Sequence, residues 1–115
     1  MIFVIDDDDI MAECVVRAIN RKEVQVFSSA IEAMNEIAGG NVPEMIFLDI
    51  LLDGPDGFTF LHELVSYVDT AVIPVVIISS LDFSGKDMSA YGVVGVLNKD
   101  IMKPGDIRRY VKQYA

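Results

Sequence analysis

At 115 residues, 52% of them apolar, the chain is one domain that can bury a core without disulfides or a structural metal. Its single cysteine, Cys14, excludes an internal disulfide framework and suits the cytoplasm. A formal net charge of −9 argues against a phosphate backbone as partner, no apolar run is long enough to span a membrane, and Asp6 interrupts the first apolar run too early for a signal peptide.

Ile2–Ile5 reads as a buried strand and runs straight into four aspartates, Asp6 to Asp9. A helix follows from about Ile10 to Ile19, with aspartate at its start as cap and dipole partner. Cys14 falls within it and reads as a small buried hydrophobe. Glu23–Phe27 forms a second, shorter strand. Ser29-x-x-Glu32 is a capping box, and its helix puts Ala30, Ala33, Met34 and Ile37 on one face before Gly39-Gly40 stops it. Met45–Asp49 is a third strand ending on an aspartate. A Gly/Pro/Asp loop leads to a helix from about Phe58 to Val68. Pro74–Ser80 is a continuous apolar run, as a central parallel strand requires. A weak helix is expected over about Ser84–Tyr91, then a fifth strand over Val93–Leu97, broken by Gly95. Pro104 opens a last helix whose apolar face is Ile107, Tyr110, Val111 and Tyr114. There is no repeat, low-complexity tract or linker.

Five strands alternating with five helices predict an α/β fold, a doubly wound five-stranded parallel sheet with flanking helices. Ligands bind such sheets beyond the carboxyl ends of the strands. There the sequence sets Asp6 and Asp7, Asp49, Ser79-Ser80, and Asn98-Lys99. Close carboxylates cannot all stay ionised without a compensating charge, and the hard cation Mg²⁺, which takes oxygen ligands, supplies one. Mg²⁺, an ammonium and a hydroxyl donor together suit phosphoryl chemistry, in which an aspartate can carry the phosphoryl group covalently.

These pieces carry a family resemblance over essentially the whole chain. Ile5–Asp7, the LDILLDGPDG loop (Leu48–Gly57), PVVIISS and GVLNKD (Gly95–Asp100) resemble a CheY-like response-regulator receiver domain of two-component signalling. The resemblance implies that Asp49 is the phosphoacceptor. Asp7 and Asp49 would ligate Mg²⁺ directly, Asp6 through water, and the backbone carbonyl of Leu51 would complete the set. Ser79 would bond a phosphoryl oxygen and report phosphorylation by its movement, and Lys99 would pair with the phosphoryl group. Asp8 and Asp9 match no essential role and read as helix-starting charges, Asp8 bordering the pocket.

The sequence departs from the family at three places. Val96 stands where the family usually has an aromatic switch residue, for which Tyr91 or Phe83 could substitute. The segment between Ser79 and Lys99 is short and contains Ser84-Gly85, which weakens its helix. The family positions the water that attacks the phosphoryl group with residues two after the phosphoacceptor and two after the switch hydroxyl. Leu51 and Leu81 stand there and cannot hold water through their side chains, which implies slow self-dephosphorylation.

The implied function is a cytoplasmic signalling switch rather than an enzyme. A histidine kinase or histidine phosphotransfer protein donates the phosphoryl group, and a downstream protein reads the result. Nothing follows the last helix, so residues 1–115 are expected to be a receiver alone, stand-alone or excised from a longer protein. One alternative is a pseudo-receiver, an interaction module that is never phosphorylated. Another is a haloacid-dehalogenase-like aspartyl-phosphate phosphohydrolase, but the acidic pair required after the lysine is missing. A flavin site would need a loop rich in Gly, Ser and Thr where the four aspartates stand. Asp53 and Asp56 read as turn formers, His62 as a surface or interface residue and the six methionines as packing. Lys103, Arg108, Arg109 and Lys112 read as a solvated or partner-facing surface, and Tyr110 and Tyr114 permit a homodimer.

Overall fold

A computed structural model describes residues 1–20, 23–50, 57–80 and 88–115. Its strands are β1 (Ile2–Ile5), β2 (Val24–Phe27), β3 (Met45–Asp49), β4 (Val75–Ser79) and β5 (Val93–Asn98). All pair in parallel, in the order β2-β1-β3-β4-β5. The helices are α1 (Asp9–Ile19), α2 (Ala30–Ala38), α3 (Gly57–Val65), α4 (Val68–Ala71) and α5 (Pro104–Tyr114). Strands β1, β3 and β4 are buried at every position, as helices on both faces of a parallel sheet require.

Alternate strand residues feed two separate cores. Phe3, Ile5, Ile46, Leu48, Val75 and Ile77 pack under α2 and α3. Ile2, Val4, Met45, Phe47, Val76 and Ile78 pack under α1 and α5. Helix α2 begins where expected, with the Ser29 hydroxyl accepting from the Glu32 N–H. On α5, Ile107 and Val111 are buried, and the rings of Tyr110 and Tyr114 stack with centroids 6.4 Å apart.

Four expectations need correction. Helix α3 stops at Val65 rather than Val68, because the Ser66 hydroxyl donates to the His62 carbonyl at 2.7 Å and the Thr70 hydroxyl donates to that of Leu64. These side chains compete for the last carbonyls, and α4 starts after a turn. The described part of the weak helix over Ser84–Tyr91 is a 3₁₀ turn, Ser89–Tyr91; residues 81–87 lie outside the described residues. Gly95 does not break β5. Val93 pairs with Val75 and Gly95 with Val76, so the strand absorbs Val94 as an extra residue. Cys14 is exposed, since α1 buries Ala12, Val15, Ala18 and Ile19 instead.

Candidate functional site

The four aspartates have separate positions. Asp6 continues the line of β1 and is 3% exposed. Its Oδ1 accepts the Asp8 N–H at 2.9 Å, which turns the chain out of the sheet. Asp7 is exposed. Asp8 is the N-cap of α1, its Oδ1 accepting from the N–H groups of Ile10 (3.0 Å) and Met11 (3.2 Å). Asp9 occupies the first turn, where its charge meets the positive end of the helix dipole.

Asp49 ends β3 beside β1 and is 5% exposed. One carboxylate oxygen from each of Asp6, Asp7 and Asp49 can be chosen so that all three lie within 4.8 Å of one another. Facing them is Lys99, whose Nζ donates to Asp49 Oδ2 at 3.2 Å and lies 3.6 Å from Asp6 Oδ2. Ser79 ends β4 and is buried. Its carbonyl accepts the Lys99 N–H at 3.0 Å, tying the two strand ends together. Asn98 builds the turn beyond: its Oδ1 accepts from Asp100 N–H at 2.8 Å, and its carbonyl accepts from those of Ile101 and Met102.

The electrostatics follow from burial. Burial pushes the Asp6 carboxyl up to about 6 from 3.8; the Asp8 N–H and Lys99 pull it down and Asp49 pushes it further up. For Lys99, burial pulls the ammonium down, but its hydrogen bond to Asp49 and the charges of Asp6 and Asp49 outweigh that, and it ends above 10.5. Two buried carboxylates thus share one ammonium, with a third, Asp7, beside them. An all-oxygen donor set with two buried members and surplus negative charge fits a hard divalent cation such as Mg²⁺.

Asp6, Asp7, Asp49 and Lys99 therefore come together as the sequence suggests, with Ser79 tied to Lys99. Leu51 and Leu81 lie outside the described residues, as do Asp53, Asp56 and Phe83. Val96 is 37% exposed. Tyr91 packs edge-on against the His62 ring, with centroids 5.0 Å apart. Sequence reasoning missed the Asp8 N–H that holds Asp6 and the Ser79–Lys99 tie. Both are donated by backbone N–H groups, which every residue but proline carries, so the identities of Asp8 and Lys99 carry no signature of them.

Residues 2–112 match the family model described as the response regulator receiver domain. The sequence is 34% identical over 89 residues to the response regulator PleD of Caulobacter vibrioides, a match covering 73% of this chain and 19% of PleD. The chain thus spans about a fifth of that relative's length. Among solved structures, it resembles the receiver domain of NtrX from Brucella abortus (25% identity, 99% of this chain and 97% of that one, TM-score 0.83). It also resembles the phosphorylated cyanobacterial phytochrome response regulator RcpA (25% identity, 97% of this chain and 88% of that one, TM-score 0.74).

Proposed function

Because the chain belongs to the response-regulator receiver domain family, matched over residues 2–112, we propose that it is a phosphoacceptor switch. It takes a phosphoryl group from a histidine kinase or histidine phosphotransfer protein onto Asp49, and a downstream protein reads the changed surface. The observation that carries this reading is the buried pair Asp6 and Asp49, with Asp7 beside it and the Lys99 ammonium 3.2 Å from Asp49. That RcpA is known in phosphorylated form supports it.

Asp49 is the nucleophile. A P–O bond forms to one carboxylate oxygen as the P–N bond of the donor's phosphohistidine breaks, and the imidazole leaves with the bonding electron pair and takes up a proton from solvent. Asp7 and Asp49 would hold Mg²⁺ directly and Asp6 through water, and the resemblance implies that the backbone carbonyl of Leu51, outside the described residues, would complete the set. When bound, the ion offsets the crowded carboxylates and stabilises charge on the phosphoryl oxygens. Lys99 moves from the Asp49 carboxylate to a phosphoryl oxygen, and the Ser79 hydroxyl donates to another. Since the Lys99 N–H is bonded to the Ser79 carbonyl, a shift of either strand end pulls on the β5–α5 loop. The domain is modified once per cycle and turns over no substrate of its own. A donor charged from ATP implies a cytoplasmic location.

Intact mass after incubation with acetyl phosphate tests the reading. One added phosphoryl group is expected with Mg²⁺, and none with chelator or in Asp49→Asn. No mass change together with no Mg²⁺ binding would favour the pseudo-receiver instead.

A further inference from the structure

Charge is divided between the two faces of the sheet. No lysine or arginine stands between Lys22 and Lys86, a stretch that includes all of α2 and α3. Those helices carry Glu32, Glu36 and Glu63. The other face holds the cations of α1 and α5: Arg17, Arg108, Arg109 and Lys112. Between α2 and α3 runs a groove of about 160 Å³, lined by Ala30, Ile31, Met34, Thr59, Phe60 and Glu63. Its rim is apolar and open, with Ile31 53% exposed and neighbouring Phe58 37% exposed. Nothing in the phosphoacceptor chemistry uses this groove.

We propose that the α2–α3 groove docks a cationic amphipathic helix of another protein, one that seats an apolar residue between Ile31 and Phe60 and sets lysine or arginine against Glu63. An apolar slot gives such a helix its anchor, and the surrounding acidic surface steers and orients it. Met34 lines the slot with a flexible thioether that can adapt to the anchor's shape. The occupant is a foreign cationic segment rather than a second copy. Two copies each at −9 repel at long range. The basic helix α5 also lies on the opposite face of the sheet from the groove, so a contact between them would be head-to-tail and open-ended.

The test titrates the ¹⁵N-labelled full chain with a synthetic Leu/Lys helical peptide carrying one apolar stripe. A Leu/Glu peptide with the same stripe and a scrambled Leu/Lys peptide serve as controls. Saturable binding is expected for the Leu/Lys helix alone, with amide shifts concentrated at Ile31, Met34, Thr59, Phe60 and Glu63. Ile31→Asp and Glu63→Lys, both at exposed positions, are each expected to weaken it roughly tenfold or more while leaving the rest of the amide spectrum in place. Shifts centred on Asp7–Glu13, equal binding of the scrambled peptide, or indifference to both substitutions would overturn the proposal. So would sedimentation showing that the chain occupies the groove with its own second copy.

Discussion

Asp6 holds a carboxylate inside the protein with one backbone N–H and a shared ammonium as its compensation. Because its folded value of about 6 lies above the unfolded 3.8, the native state binds this proton more readily than the unfolded chain does. The resulting stability is fully present below the unfolded value and is lost as pH rises through the folded one. Urea melts of the metal-free protein should show wild type losing stability across that window relative to Asp6→Asn. Mg²⁺ affinity should move the opposite way, falling as Asp6 takes up its proton; identical pH profiles for the two proteins would remove Asp6 from the account. Charge arithmetic gives a second pair of expectations. Lys99→Ala leaves two buried carboxylates without their cation and should cost about 2–3 kcal/mol in the metal-free protein. Asp49→Asn thins the crowd of negative charge and should raise stability on the order of 1 kcal/mol. Two losses of equal size would mean that repulsion does not govern the site. A third expectation concerns the lifetime of the phosphoryl group. Neither Leu51 nor Leu81 can hold water through its side chain, so Leu51→Asn with Leu81→Glu should speed dephosphorylation of Asp49 by about tenfold or more. An unchanged decay of the phosphorylated mass would rule that out.

Two glycines decide how elements meet. A Cβ at Gly57 would stand 2.7 Å from the Ile50 Cα, and the Gly57 N–H closes the loop onto the Ile50 carbonyl at 3.1 Å. The start of α3 is thereby set hard against Ile50, the residue that directly follows Asp49 at the end of β3. At Gly95 a Cβ would meet the Tyr110 ring, which lies over the strand. Both Gly→Ala changes should destabilise, each by about 1–3 kcal/mol. They differ in rescue: Tyr110→Ala should recover part of the Gly95→Ala loss, since the obstacle is a side chain, whereas Gly57→Ala meets backbone and should resist rescue. A double-mutant cycle in urea reads the coupling directly, and additive losses at Gly95 and Tyr110 would show that the ring moves aside freely. The same contrast explains what the sequence could convey. Continuous apolar runs marked β1, β3 and β4, and Ser29-x-x-Glu32 marked the start of α2, because each pattern reflects local physics. Asp6, Asp49 and Lys99 could be gathered in advance because strand ends in a parallel sheet share one edge. The Val94 bulge, the early stop of α3 and the exposure of Cys14 depend on partners distant in the chain or on competition for a few carbonyls. Gly95 looked like a strand breaker until the ring that needs its missing side chain came into view.

The whole molecule carries −9 on 115 residues, and no lysine or arginine offsets the acids between Lys22 and Lys86. Diffuse repulsion of that kind is relieved by any salt, whereas the cluster of Asp6, Asp7 and Asp49, with one oxygen from each within 4.8 Å of the others, is expected to respond to a cation that fits it. The two should separate in thermal melts. Sodium chloride should raise Tm gradually as the screening length shrinks toward about 8 Å at physiological ionic strength. Mg²⁺ at constant ionic strength should raise it along a saturable curve, reaching about 2.7 kcal/mol of added stability when its concentration is a hundred times Kd. Asp6→Asn and Asp49→Asn should each flatten the Mg²⁺ curve and leave the sodium chloride response nearly intact, because losing one charge in nine barely alters the diffuse field but takes one carboxylate out of the cluster. If Mg²⁺ acts no differently from an equal ionic strength of sodium chloride, or if both variants keep the saturable response, then the acidic cluster is only part of the general negative charge and holds no ion of its own.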